Sequence, residues 1–247
     1  MRLIPLEIGR LTASLSIITG EDHTATLPIP SWLIDHPSGL VLFDTGLHPD
    51  LQHSTDRIGR SARFFTPDFP PGEELAARLA AIDVRPSDIT HMVFSHLHFD
   101  HVGGTAEIPD ARIVVQADEW AAGNDPRLID KGAYMPDDYV LGHDIETISG
   151  MHDVFGDGSV VCVPTPGHTI GHQSLRVELE TGPIVLTGDC IYFDRMLDEM
   201  RVPNFGYDTD QQRDSMIELR RLRDEEGCRL LYGHDVEQFR ALPAVLN

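Results

Sequence analysis

Cysteine is scarce in this chain: three in 247 residues, Cys162, Cys190 and Cys228. An odd count without C-x-x-C spacing supports neither a disulfide framework nor a thiolate zinc site, and buried free thiols are expected. Positive charge is scarce as well. Lys131 is the single lysine, and 19 Lys and Arg face 40 Asp and Glu, a formal net charge of -21. Such a field repels phosphate backbones, which excludes nucleic acid as a partner. Long apolar runs are missing: no stretch approaches the roughly 20 residues of a membrane span. The opening MRLIPLEIGR lacks the zones of a secretory signal. No membrane partner is expected, and a cytoplasmic location is.

What is present is a hydrophobic fraction of 41%, enough for a large core, so residues 1–247 read as one globular unit. Short apolar runs punctuated by Gly and Pro predict strands at Leu3 to Ile8, Trp32 to Ile34, Leu40 to Phe43, Thr90 to Ser95 and 111–116. Further strands are expected at Val160 to Val163, Gln173 to Leu179, Ile184 to Thr187 and Leu230 to Tyr232. Helical spacing predicts helices over Glu73 to Ile82, Ala117 to Ala122 and Asp210 to Glu225, the last with Met216, Ile217, Leu219 and Leu222 on one stripe. Residues 123–145, rich in Asp, Gly and Pro, read as an irregular connection. Two strand-rich halves, each with helices on its outer side, imply an α+β fold of two packed sheets.

Five histidines and two aspartates stand at the ends of these apolar runs. In 95-SHLHFDH-101 the alternate positions His96 and His98 can present two imidazoles to one ion, while Asp100 and His101 turn toward a second. His168, in the Pro- and Gly-bounded loop 164-PTPGHTIGH-172, is a third candidate for the first ion. His172 suits a supporting hydrogen bond better than ligation. Asp189 and His234 each follow a strand and a glycine. A carboxylate at Asp189 can bridge cations about 3.5 to 4 Å apart. Imidazole and carboxylate without thiolate suit a hydrolytic centre of two divalent ions, zinc first, with iron, cobalt or manganese also accepted. Phe64, Phe65 and Phe69 in 64-FFTPDFPPG-72 either line an apolar pocket or plug the core beneath a loop.

The pattern H-x-H-x-D-H followed by His168, Asp189 and His234 resembles the metallo-β-lactamase fold superfamily. The resemblance implies a four-layer αββα sandwich of two mixed β-sheets with outer helices. It implies a first metal on His96, His98 and His168, a second on Asp100, His101 and His234, and Asp189 between them. Asp44 in 44-DTG-46 matches the position that supports the metal site from behind, although a turn-stabilising role fits it nearly as well. The blocks 95-SHLHFDHVGG-104, 166-PGHTIGHQSL-175, 189-DCIY-192 and 233-GHD-235 resemble the N-acyl homoserine lactone lactonases and related γ-butyrolactone hydrolases. The β-lactamase branch usually has cysteine at the Asp189 position and no ligand at His101. The flavin-dependent diiron branch has Glu at the His98 position.

The implied activity is quorum-quenching hydrolysis of small-molecule lactones, N-acyl homoserine lactones first, the ester carbonyl being attacked by a metal-bridging hydroxide. Tyr192 would lie beside that carbonyl and Asp100 would pass a proton to the leaving oxygen. Phe99 and Gly206, the latter in 202-VPNFGYD-208, would contact substrate, with Phe64 at the acyl chain. The alternatives are a γ-butyrolactone hydrolase, a glyoxalase II-like thioesterase with the same centre, or a metal-containing protein that binds such a ligand without turnover. Relatives are often homodimers, and the segment 12-TASLSIITG-20 is a candidate interface or an internally packed strand.

Overall fold

The computed structural model describes residues 1–129 and 134–247; Lys131 lies outside the described residues. Seven strands, β1 (Arg2–Ser14), β2 (Thr24–His36), β3 (Gly39–Phe43), β4 (Phe65–Asp68), β5 (Ile89–Val93), β6 (Arg112–Gln116) and β7 (Ile145–Ile148), form a sheet in the order β4-β1-β2-β3-β5-β6-β7. Five more, β8 (His152–Asp153), β9 (Val160–Pro164), β10 (Gln173–Leu179), β11 (Gly182–Leu186) and β12 (Arg229–Leu231), form a second sheet in the order β12-β11-β10-β9-β8. Both sheets are mixed: β3, β5, β6 and β7 run parallel, as do β11 and β12, and the remaining neighbours are antiparallel.

Alternation along the strands assigns the layers, because successive side chains point to opposite faces. Val41, Phe43, Val93 and Val114 meet Leu175, Val177, Ile184, Leu186 and Leu231 in a core between the sheets. The intervening Leu42, Met92, Ile113 and Val115 face outward onto Leu75, Leu79, Leu97 and Phe99. On the far side Val185 and Leu230 pack against Met216, Leu219 and Leu222 of the helix Thr209–Glu226. The order is therefore helices, sheet, sheet, helix, the α+β sandwich that the sequence implied.

Several boundaries differ from expectation for identifiable reasons. β1 and β2 are 13 residues each, longer than their apolar runs, because beyond a register shift at Glu7/Arg10 the alternation resumes with Leu11 and Ala13 inside. Ile217 does not join the buried stripe; it is 46% exposed, since one residue from Met216 lies about 100° around the helix. The helix expected over 73–82 is confined to Leu75–Ala80. Part of the expected irregular connection is ordered, as a turn of helix at Pro126–Ile129. Leu15, Ile18 and Thr19 of the candidate interface segment are buried within this chain.

Parallel strands share one carboxyl edge. That edge gathers the residues after β3 (Asp44), β5 (Ser95 onward), β6 (Ala117 onward), β11 (Gly188, Asp189) and β12 (Gly233, His234) at one end of the sandwich. Loops at the carboxyl ends of strands are where an open sheet leaves a crevice.

Candidate metal centre

β5 delivers the chain extended through Ser95, His96 and Leu97, and a single helical turn, Phe99–Val102, follows. Extended backbone puts His96 and His98 on one side with Leu97 buried between them. The turn then carries Asp100 and His101 to a neighbouring point. His168 enters from the loop after β9. The loops holding Asp189 and His234 are zipped together, Gly233 and His234 donating their amides to Ile191 and Tyr192 carbonyls at 3.0 and 3.2 Å.

Seven donors converge. His96, His98 and His168 form one group, Asp100, His101 and His234 a second, and His96, His101 and Asp189 a third that overlaps both; within each, donor atoms lie within 4.8 Å of one another. The carboxylate of Asp189 spans the two sides: Oδ1 lies 3.0 Å from His234 Nε2 and 3.2 Å from His101 Nε2, while Oδ2 lies 3.4 Å from His168 Nε2. His98 Nδ1 and His168 Nε2 are 3.0 Å apart.

The outward nitrogens are spoken for, which turns the others inward. His101 Nδ1 donates to Asp44 at 2.8 Å and His234 Nδ1 to the Pro28 carbonyl at 2.9 Å. His172 Nδ1 donates to the Thr165 carbonyl at 3.0 Å, and its Nε2 accepts the Asp189 amide at 3.1 Å. That residue stands behind the bridging carboxylate. Asp44, held at φ 61, also accepts from the Ser95 amide and hydroxyl at 2.7 and 2.8 Å. A strained backbone of this kind persists only where its surroundings over-determine it.

Electrostatics and satisfaction both fit divalent cations. Burial pushes His96 and His168 well below the usual imidazole range and His98 down to about 4, so these rings are neutral and their lone pairs available. His101 behaves oppositely: burial opposes its charge, but Asp189, Asp100 and Asp44 raise it well above the ordinary value. Three carboxylates thus favour positive charge at that point. The Nε2 atoms of His96 and His101, and Asp189 Oδ1, are buried without a hydrogen-bond partner among the described residues. Buried polar atoms are rarely left so unless something else satisfies them.

A cavity of about 890 Å³ opens onto this cluster. His98, Asp100, His168, Asp189 and His234 line its floor, and Phe99, buried to 2% exposure, lines it beside them. Tyr192 stands at the junction, its hydroxyl 3.5 Å from His168 Nδ1. Burial, reinforced by the Asp189 charge, raises this phenol well above its usual range and keeps it an O–H donor. Gly206 lies against the His168 loop, the following Tyr207 amide donating to the Gly167 and His168 carbonyls at 3.0 Å. Of the three phenylalanines in 64–69, Phe64 sits 58% exposed at the rim. Phe65 reaches the wall and meets Phe99 edge-on at 5.8 Å. Phe69 instead fills the core beneath β1.

Sequence reasoning missed Ser95, whose hydroxyl lies 2.9 Å from His96 Nδ1 and 3.3 Å from His101 Nδ1. It also missed the apolar wall from the β1–β2 hairpin, namely Leu11, Ile17, Ile18, Leu27 and Ile29, and the buried Glu119. Nothing along the chain marks the last, which shares the buried face of its helix with Ala122 and Gly123.

The model of the metallo-beta-lactamase superfamily matches residues 25–234. The N-acyl homoserine lactonase AttM of Azorhizobium caulinodans is 30% identical over 250 residues, covering 95% of this chain and 93% of that protein. An N-acyl homoserine lactonase from a Bacillus species is 30% identical over 220 residues, covering 87% and 84%. Among solved structures, an N-acyl homoserine lactone hydrolase with N-hexanoyl-L-homoserine bound at its catalytic metal center superposes with a TM-score of 0.88 at 26% identity, covering 98% of this chain and 96% of that one.

Proposed function

The chain belongs to the metallo-beta-lactamase superfamily, and from that premise we propose that it is a hydrolase opening the ester ring of N-acyl homoserine lactones. The observation that carries this reading is the cavity, an aliphatic and aromatic chamber ending on a His and Asp floor with Tyr192 at the junction. An acyl lactone has that polarity, an apolar tail on a polar ring. Relatives with this activity match almost the full length of the chain.

In this reading His96, His98 and His168 would hold one divalent ion and Asp100, His101 and His234 a second, with the Asp189 carboxylate standing between the two groups. Bound there, two such ions supply Lewis acidity and make hydroxide available near neutral pH. Zinc is the proposed metal, from the donor chemistry. The chain's own residues do the rest. Asp44 and His172 hold His101 and Asp189 in place. Phe99 and Phe65 exclude water from the ring side of the cavity. Tyr192 donates its O–H to the carbonyl oxygen as charge develops on it. Asp100 Oδ takes up the proton that the attacking water gives up and passes it to the ring oxygen as the C–O bond breaks, giving an open-chain N-acyl homoserine. Residues 1–247 act as one unit, because strand β1 near the start and His234 near the end face the same cavity. Three free cysteines suit the reducing cytoplasm proposed for it.

The test is steady-state hydrolysis, read by a pH indicator on protein of measured metal content, of an N-acyl homoserine lactone, γ-butyrolactone and a glutathione thioester. The acyl homoserine lactone is expected to have the highest kcat/KM. A faster thioester overturns the reading, and no proton release with any of the three favours binding without turnover.

A further inference from the structure

The imidazoles of the first donor group arrive from different sheets. His96 and His98 follow β5 of the seven-stranded sheet, and His168 follows β9 of the five-stranded one. No strand ladder therefore fixes the distance between the two loops. Gln173 ties the strand ends at their base, its amide donating to the Ser95 carbonyl at 2.9 Å and its side chain to the Phe94 carbonyl at 2.8 Å. That link lies below the ligands themselves.

We propose that Glu119 is a positioning residue for the His96, His98 and His168 group, a single buried carboxylate that clamps together the two loops carrying those imidazoles. It stands in the helix Ala117–Gly123, fully buried. Oε1 accepts the Leu97 amide at 3.0 Å, midway between His96 and His98, and Oε2 accepts the Gly171 amide at 3.0 Å, three residues beyond His168. The Tyr134 hydroxyl donates to Oε1 at 3.2 Å, and the Tyr134 ring lies 5.6 Å from that of His98. The approach is close: a Cβ on Gly171 would fall 2.2 Å from the Glu119 amide nitrogen.

Chemistry accounts for the choice of glutamate. Two amide N–H groups on separate loops need two acceptor oxygens. Glutamine offers one acceptor and turns its own N–H2 against an amide donor, while aspartate is shorter by one C–C bond, about 1.5 Å. Outer partners of this kind typically govern metal affinity by 10- to 100-fold. The inference rests on the reading of these histidines as metal ligands, and its tests separate the two.

Holoprotein is dialysed against a graded chelator and the metal retained per chain measured, for wild type, E119Q and Y134F. E119Q is expected to release one of its two ions at roughly 10- to 100-fold lower chelator than wild type and the other unchanged. Y134F, which leaves both amide bonds intact, is expected to follow wild type. Release of both ions from E119Q at wild-type chelator, or of both together earlier, overturns the proposal. A second measurement needs no variant. In wild-type protein, amide hydrogen exchange at Leu97 and Gly171 is expected to be slow at both, and fast exchange at either overturns the clamp. Wild-type protein without stoichiometric metal would instead sink the ligand reading, and the exchange result would still decide on the clamp.

Discussion

Tyr192→Phe removes one hydroxyl and keeps the ring. The ring is well used: it lies 5.2 Å from that of His234 and 6.3 Å from that of Phe205, and a Phe retains these contacts. The hydroxyl's contact with His168 Nδ1, at 3.5 Å, is at the outer limit of a hydrogen bond. Its loss should change folding stability by no more than about 1 kcal/mol. The catalytic effect should be far larger. A donor that meets substrate only as the carbonyl oxygen gains charge contributes to the transition state and not to the ground state, so kcat falls while KM holds. The loss of such a donor costs about 10²- to 10³-fold, or about 2.7–4 kcal/mol. The assay is steady-state lactone hydrolysis, with metal content and urea unfolding measured on the same preparation. A fully metallated variant turning over at the wild-type rate would refute the role given to Tyr192. A raised KM with unchanged kcat would demote it to a wall residue.

Along a series of acyl lactones, each methylene that reaches the apolar wall should contribute about 0.8 kcal/mol, about fourfold in kcat/KM, and Phe64→Ala should flatten that series for the longer chains. A Phe64→Ala profile unchanged from short to long chains would place the acyl tail elsewhere. Gly167→Ala should cost about 2–5 kcal/mol in urea unfolding, because Gly167 sits at φ 131 and a Cβ would fall 2.2 Å from the Gln212 amide nitrogen; a loss under about 1 kcal/mol contradicts this packing. Asp138 is paired with Arg57 through the guanidinium, yet burial outweighs that pairing and pushes its carboxyl from 3.8 up to about 6. Because the folded state holds this proton more tightly than the unfolded one, the Asp138 contribution is fullest below about pH 4 and declines by roughly 3 kcal/mol as pH rises through about 6. Unfolding of wild type and Asp138→Asn, compared between pH 4 and 7.5, should show the variant gaining on wild type across that window. A difference independent of pH would count against the burial argument.

The layers were legible because period-2 alternation is local. Leu42 must point away from Val41 and Phe43, and Val185 away from Ile184 and Leu186, and the packed clusters then show which face meets the other sheet and which a helix. Of the four edge strands only β12 was legible, as the run Leu230 to Tyr232. β4 (Phe-Thr-Pro-Asp) and β8 (His-Asp) carry no apolar alternation and exist because a neighbour offers a ladder. The same holds for the far ends of β1 and β2, whose polar residues follow from pairing across the hairpin rather than from a pattern along either strand.

At the site the division is chemical. Few residue types can ligate a divalent ion, so His or Asp at successive strand ends stands out in a bare sequence, and four of the seven donors sit within six positions of one run. Glu119 does not stand out, because its partners are backbone amides 22 and 52 residues away, and an amide leaves no mark in a sequence. The cavity is less legible still. Alternation says that Leu11 and Ile29 point inward, as they would in any well-filled core. The open volume beside them depends on where the opposing layer stops, and that is set by the loop carrying His168 and by the segment around Gly206 folded over it. Ligand identity is therefore written residue by residue, whereas acyl-chain preference is set by how far apart the folded layers come to rest. Substitutions along Ile17, Ile18 and Phe64 should accordingly shift chain-length preference while leaving the donor cluster as it is.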